Sequence, residues 1–235
     1  MNSNVSLNHM MSLLLYLGLF AALTAAPLLI ASLKLFRINS FSPVPRLTSS
    51  WVAAIIVLVI SAMGTSSWRA YLGLEWLTWQ SLGLAILAAV VMCLVFGTHR
   101  YLQGKLGKES PKLIRHYQNL MCLPFSHRCF VLATAVVTEE VLYRGYAIGV
   151  GQHLFGSLWL ACIVSVGAFT LTHFGWGLAH LLPVFAAALV LTLLFTFTQN
   201  LWACIIAHAL VDAIGFLVAP AIVARRRPGA AARAG

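Results

Sequence analysis

Two adjacent glutamates, Glu139 and Glu140, lie in a segment that is otherwise apolar enough to cross a membrane. The segment reads FVLATAVVTEEVLYRGYAIGV, so its only charged residues are the two glutamates and Arg144. A charged side chain at the centre of a bilayer costs about 3 kcal/mol on insertion scales, and such residues are usually functional. Carboxylates in this setting can act as proton acceptors, as metal ligands or as partners of a buried cation.

The spacing of the charges distinguishes the two glutamates. Glu140 and Arg144 are four residues apart and share one face of a helix, where a guanidinium can pair with a carboxylate. Glu139 is rotated by about 100° from Glu140 and therefore faces a different neighbour. We predict that Glu140 and Arg144 form a structural ion pair and that Glu139 remains available for chemistry.

Two later apolar segments also place polar residues one helical turn apart. AFTLTHF contains Phe169 and His173, and AHALVDAIG contains His208 and Asp212. Only five residues of the chain are acidic, and three of them lie in apolar segments. We expect one buried constellation in which Phe169 is a packing residue and the reactive groups are Glu139, His173, His208 and Asp212.

Transmembrane helices are the elements that must position these side chains. The chain is 61% hydrophobic and only 9% charged, whereas soluble domains are about 25% charged. Stretches able to cross about 30 Å of hydrocarbon cover residues 10–33, 51–66, 77–98, 129–149, 157–175, 180–198 and 201–223. The sequence predicts an all-α polytopic bundle of about seven spans. Six or eight are the alternatives, because the second stretch is short and HFGWG joins the fifth to the sixth.

A single membrane domain over residues 1–235 is expected, because no polar interval is long enough for a soluble domain. Residues 129–223 hold the motif-bearing helices, residues 99–128 form a basic loop and residues 224–235 a basic tail. In the loop, PKLIRHYQNLMCLPF has apolar residues at helical spacing, which suggests a short helix at the membrane interface. It would serve as a connector or guide a membrane-bound substrate.

The basic residues indicate membrane topology. All 15 Lys and Arg residues except Arg69 and Arg144 fall after the first span, after the third span or in the tail. These regions share one side of the membrane if seven spans alternate, and cations normally collect on the cytoplasmic side. The net charge of +10 then reflects topology and contact with anionic lipid headgroups, so we expect no nucleic-acid partner.

Together the three motifs resemble those of the CAAX prenyl protease and bacteriocin-processing (CPBP, or Abi) family of intramembrane proteases. The family pattern is EExxxR, FxxxH and then HxxxN or HxxxD on successive helices, and this chain reads EEVLYR, FTLTH and HALVD in that order. The resemblance covers about residues 138–212. It implies an intramembrane endopeptidase of the bacterial plasma membrane that cleaves a membrane-anchored or lipidated protein or peptide.

The resemblance also implies a role for each motif residue. Glu139 would be the general base that activates water, His173 would bind and polarise that water, and His208 with Asp212 would stabilise the oxyanion or orient its donors. Relatives often have Asn where this chain has Asp212. An ionised Asp cannot donate a hydrogen bond, so Asp212 must be protonated, orient His208 or bind a metal ion.

A metal requirement is the open question of this interpretation. Two His and two carboxylates suit Zn²⁺ by ligand type, and the family has been labelled both metalloprotease and glutamate protease. A zinc ion would take Glu139, His173, His208 and Asp212 as ligands. Because four protein ligands leave no position for the hydrolytic water, we expect no obligatory metal and no other cofactor.

Two other classes of function remain as alternatives. A proton-coupled transporter or channel would explain intramembrane acids as a relay, but not three protease motifs in order. An inactive relative could act as a binding or immunity protein, although every motif residue is present. The GxSG, HExxH and GxGD motifs of other intramembrane proteases are absent, and the five cysteines form no CxxC pair.

We predict an external N-terminus and a cytoplasmic C-terminus, because this orientation places nearly all cations inside. A reporter that is active only in the cytoplasm should be active when fused after Gly235 and inactive when fused beside Arg69. The reverse pattern of reporter activity would contradict the predicted topology.

Overall fold

The protein is a bundle of helices. The computed structural model describes residues 10–24, 43–64, 66–106, 119–120 and 122–218, and it has no strand within these ranges. The helices are α1 (Met10–Thr24), α2 (Pro43–Gly64), α3 (Trp68–Tyr71), α4 (Trp79–Lys105), α5 (Phe125–Glu140, extended by Val141–Val150 and Gly151–Phe155), α6 (Leu158–Thr172), α7 (Leu178–Thr198) and α8 (Leu201–Ala213, extended by Ile214–Val218). The predicted all-α class is confirmed.

Four helices are long and apolar enough to cross a membrane, namely α2, α4, α7 and α8. The α1 and α6 helices are also apolar but shorter, and α5 with its extensions is continuously helical from Phe125 to Phe155. Setting aside the single turn of α3, these helices are consistent with about seven spans. The protein is therefore an integral membrane protein.

Several boundaries differ from the predicted ones. The second helix begins at Pro43 rather than residue 51, since proline is tolerated in a first helical turn. The α4 helix continues to Lys105 and α5 begins at Phe125, which shortens the predicted loop 99–128 from both ends. Helical hydrogen bonding continues beyond the hydrocarbon core, where the side chains become polar. A hydropathy profile therefore underestimates the length of a transmembrane helix. Most of the predicted interfacial helix and the whole basic tail lie outside the described residues.

The α5 helix is the central element of the bundle. After Glu140 its hydrogen bonding changes to the wider π pattern over Val141–Val150, and all residues of this segment except Gly149 are buried. The three largest fully buried side chains of the described residues, Tyr143, Arg144 and Tyr146, belong to it. Helix α5 packs against α2, α6 and α8, so its side chains can reach three neighbouring helices.

Loops at one end of the bundle fix the positions of α5 and α8. We call this end, formed by residues 66–78, 156–157 and 199–200, the Gly73 end. The Leu201 N–H donates to the Gly73 carbonyl at 2.8 Å, and the Asn200 amide donates to the carbonyls of Glu75 and Trp76 at 3.1 and 3.2 Å. Any side chain at Gly149 would meet the Tyr71 carbonyl oxygen. These contacts hold α5 and α8 in fixed register.

At the opposite end, α6 stops early and the chain turns back into α7. Fifteen residues of α-helix span about 22 Å, less than the ~30 Å hydrocarbon core. A 3₁₀ turn over Phe174–Trp176 follows, and Gly177 adopts φ of 103°, a conformation suited to glycine. The last residue before the turn is His173, so a motif residue terminates a helix that is shorter than the hydrocarbon core is thick.

Candidate active site

Glu140 lies at the centre of a buried polar network. Its Oε1 accepts a hydrogen bond from Arg144 Nη1 at 2.9 Å and lies 2.7 Å from His208 Nδ1. Glu140 and Arg144 are both completely buried. Because a carboxylate only accepts, His208 donates through Nδ1 and its Nε2 faces away from Glu140. This nitrogen lies 3.6 Å from Asp212 Oδ2.

Arg144 connects this network to two further helices. Its Nη2 donates to the Ala188 carbonyl of α7 at 3.4 Å, and its guanidinium lies over the Phe169 ring of α6, with Cζ 4.5 Å from the ring centroid. A guanidinium on an aromatic face is attracted by the ring quadrupole. One buried cation therefore holds α5, α6 and α7 together beside the α8 histidine.

Phe169 packs at the centre of this cluster of site residues. Its ring lies 4.9 Å from the His173 ring and 6.3 Å from the His208 ring, measured between centroids. The Tyr143 ring meets it edge-on at 5.3 Å. These contacts place the two histidines at the same level of the bundle, although one terminates α6 and the other lies inside α8.

The orientation of His173 follows from its own helix. Its Nδ1 lies 3.0 Å from the Phe169 carbonyl oxygen and 3.1 Å from Thr172 Oγ1. Since a carbonyl only accepts, Nδ1 carries the proton of the neutral ring and Nε2 is left as an acceptor.

Glu139 differs from Glu140 in its surroundings. It is half-buried and forms no hydrogen bond or ion pair with any part of the chain that the structure describes. Its carboxylate lies within electrostatic range of Tyr143, His208 and Asp212, and Asp212 in turn interacts with His173. The structure thus brings the predicted site residues of α5, α6 and α8 into one cluster.

Sequence reasoning missed two features of this cluster. The first is the contact between Glu140 and His208, which makes Glu140 a partner of the site histidine as well as of Arg144. The second is Tyr143, whose ring packs against Phe169. The i,i+4 spacing of Glu139 and Tyr143 could have indicated that they share a helix face, but no pattern indicated where α8 would approach α5.

The predicted zinc ligands do not fit a metal ion in the described geometry. Among the described residues, no three His, Cys, Asp or Glu side chains converge on a common point where an ion could bind. The Nδ1 atoms of both histidines are engaged, by Glu140 and by the Phe169 carbonyl, so each ring could offer only its Nε2 to an ion. That the protein needs no metal ion for its activity remains a prediction.

Comparison with known proteins supports the same class of site. Residues 123–214 match the family described as "Rce1-like: Type II CAAX prenyl endopeptidase Rce1-like", and this confirms the resemblance to the CAAX protease (CPBP) family over the motif-bearing helices. The match supports a membrane protease of the CAAX type. Comparisons with curated proteins and with solved structures gave no match.

Replacement of Glu140 or Arg144 by Ala should lower the yield of folded protein, because removing one partner of a buried ion pair costs about 3–5 kcal/mol. Glu139→Ala is the matched control, since this neighbouring carboxylate has no ion pair to lose among the described residues. Thermal unfolding in detergent measures the difference. An equal loss of stability in all three variants would contradict this division between the glutamates.

Proposed function

We propose that the protein is an intramembrane endopeptidase in which Glu139 activates a water molecule for peptide-bond hydrolysis. The observation that supports this most directly is the contrast between the adjacent glutamates. Glu140 is committed to Arg144 and His208, whereas Glu139 is partly accessible and within electrostatic range of His208 and Asp212 on α8. A general base must be free to accept a proton and to release it again.

In the proposed reaction, water is held between the Glu139 carboxylate and the Nε2 of His173. Glu139 takes one proton from the water as its oxygen attacks the carbonyl carbon, and the carbonyl oxygen becomes an oxyanion. The same proton then passes to the leaving nitrogen as the C–N bond breaks. This use of one carboxylate as base and then as acid requires no further proton donor.

His208 is the proposed donor to the oxyanion. With Nδ1 donating to Glu140, a His208 that is protonated on both nitrogens can donate to the substrate oxygen through Nε2. Asp212, 3.6 Å from Nε2 and about a quarter exposed, is proposed to orient this ring edge. The Glu140–Arg144 pair then acts as the support that keeps the imidazole in position.

The proposed substrate is a membrane-anchored or prenylated protein that reaches the site from the cytoplasmic side. Support comes from the family match and from α6, which ends at the level of the site and exposes Phe174 beside His173. The predicted orientation places this end of α6 toward the cytoplasm. Juxtamembrane cleavage of a cytoplasmic tail would follow from this placement.

Glu139→Gln should lower the turnover of a farnesylated CAAX peptide by about 10²- to 10⁴-fold, since the amide cannot accept the proton from water. The measurement uses purified protein in lipid vesicles and a quenched fluorescent peptide. Glu75→Gln, an exposed substitution at the Gly73 end, should retain normal turnover. Retained cleavage by the Glu139 variant would overturn the assignment of Glu139 as the base. A proton flux that is lost in this variant, with no cleavage by the unmodified protein, would favour the transporter alternative.

Removal of metal should leave the proposed enzyme active. Protein dialysed against a chelator and shown to lack zinc by elemental analysis should cleave the same peptide at an unchanged rate, because water activation is assigned to Glu139. Stoichiometric zinc in the active protein, with turnover lost on chelation and restored by Zn²⁺, would show that the site uses a metal after all.

A further inference from the structure

Tyr143 is a buried residue with no role in the scheme above. It lies four residues after Glu139 in the π segment and is only 2% exposed. Its position is fixed by packing, because its ring meets Phe169 edge-on at 5.3 Å and its backbone carbonyl accepts a hydrogen bond from Ser165 Oγ at 2.6 Å. The ring is therefore held between α5 and α6, on the face of α5 that bears Glu139.

The hydroxyl of Tyr143 forms no hydrogen bond of normal length and angle with the described residues. The Thr172 hydroxyl lies close to it but already donates to the Phe169 carbonyl at 2.7 Å, so it could only accept. A buried hydroxyl without a partner destabilises a folded protein, so each such group calls for an explanation. This hydroxyl is within electrostatic range of Glu139 and close to Thr172, whose own hydroxyl contacts His173.

The hydrogen-bonding capacity of the hydrolytic water indicates what this hydroxyl can do. Glu139 is an acceptor, and His173 Nε2 is also an acceptor because Nδ1 bears the proton. Together they take both protons of a water held between them. One lone pair must attack the carbonyl carbon, so the other lone pair can only be satisfied by a donor. The Tyr143 hydroxyl is a donor that makes no hydrogen bond of normal geometry with the described residues.

We propose that Tyr143 positions the hydrolytic water by donating its hydroxyl proton to the lone pair that does not attack. This inference rests on the proposed peptidase function and adds a third group to the water site. Tyr143 keeps its proton throughout, because Glu139 accepts the proton from water and transfers it to the leaving nitrogen. The water would then be held by three fixed contacts, with its attacking lone pair aimed at the substrate.

Tyr143→Phe tests the proposal because it removes only the hydroxyl. The assay is cleavage of a quenched, farnesylated CAAX peptide by the full-length protein in lipid vesicles. We expect kcat to fall by about 10- to 100-fold with KM little changed, as for a misplaced reactant. The melting temperature should stay constant or rise, because an unpartnered buried hydroxyl has been removed.

Tyr146→Phe is the matched control on the same π segment. Tyr146 is also fully buried, but its hydroxyl donates to the Leu15 carbonyl at 2.9 Å. The control variant should therefore melt at a lower temperature and keep its kcat per folded molecule. This is the opposite of the pattern expected for the Tyr143 variant.

Wild-type kcat in Tyr143→Phe, or a lowered melting temperature that accounts for its lost activity, would overturn the role of Tyr143 and leave the peptidase function intact. Absence of cleavage by the wild-type protein, with its fold confirmed by cooperative melting, would overturn the proposed function and this inference together. Cleavage that depends on both Glu139 and Tyr143 would support both.

Discussion

The Glu140 carboxylate, buried in an apolar bundle and shared between Arg144 and His208, is the group on which the arrangement of the site depends. An isolated charge in this setting would be prohibitively unfavourable, so the carboxylate requires a cation and well-directed donors. Arg144 provides the charge, and its remaining contacts reach Ala188 on α7 and Phe169 on α6. His208 brings α8 to the same point. A single electrostatic requirement thus determines where four helices meet.

This requirement gives the two adjacent glutamates different roles. Because Glu140 pairs with Arg144, its neighbour Glu139 is not needed for that ion pair and lies within electrostatic range of His208 and Asp212 on α8. The π segment that begins directly after Glu140 widens the helix at this point, and π segments are rare and frequently found at functional sites. In the proposed mechanism, the pairing of Glu140 leaves Glu139 available as a base.

Some side chains of the site are held by several contacts, and others contain polar atoms without a partner. Glu140, Arg144 and Phe169 are held by several contacts each, although Glu140 Oε2 and Arg144 Nε lack a hydrogen-bond partner among the described residues. The Tyr143 hydroxyl also lacks one, and Glu139 has no ion pair among the described residues. Enzymes commonly retain such unfavourable features where the reaction needs them, at a cost in stability. The early end of α6 fits the same pattern, because a helix that stops within the bundle places His173 at the level of Glu139 while leaving its Nε2 free.

Hydropathy and spacing were sufficient to predict the all-α membrane bundle, the approximate spans and the individual motif residues, because lipid requires long apolar helices and makes every charge within them conspicuous. The pairing of Glu140 with Arg144 was likewise accessible, since i,i+4 residues on one helix are neighbours in any fold. The contact between Glu140 and His208 was not accessible, because residues 68 positions apart meet only through the packing of α5 against α8. The same is true of the free hydroxyl of Tyr143 and the tautomer of His173. Helical periodicity determines which residues share a face, but only the packing of helices against each other decides which faces meet and which polar atoms are left without a partner.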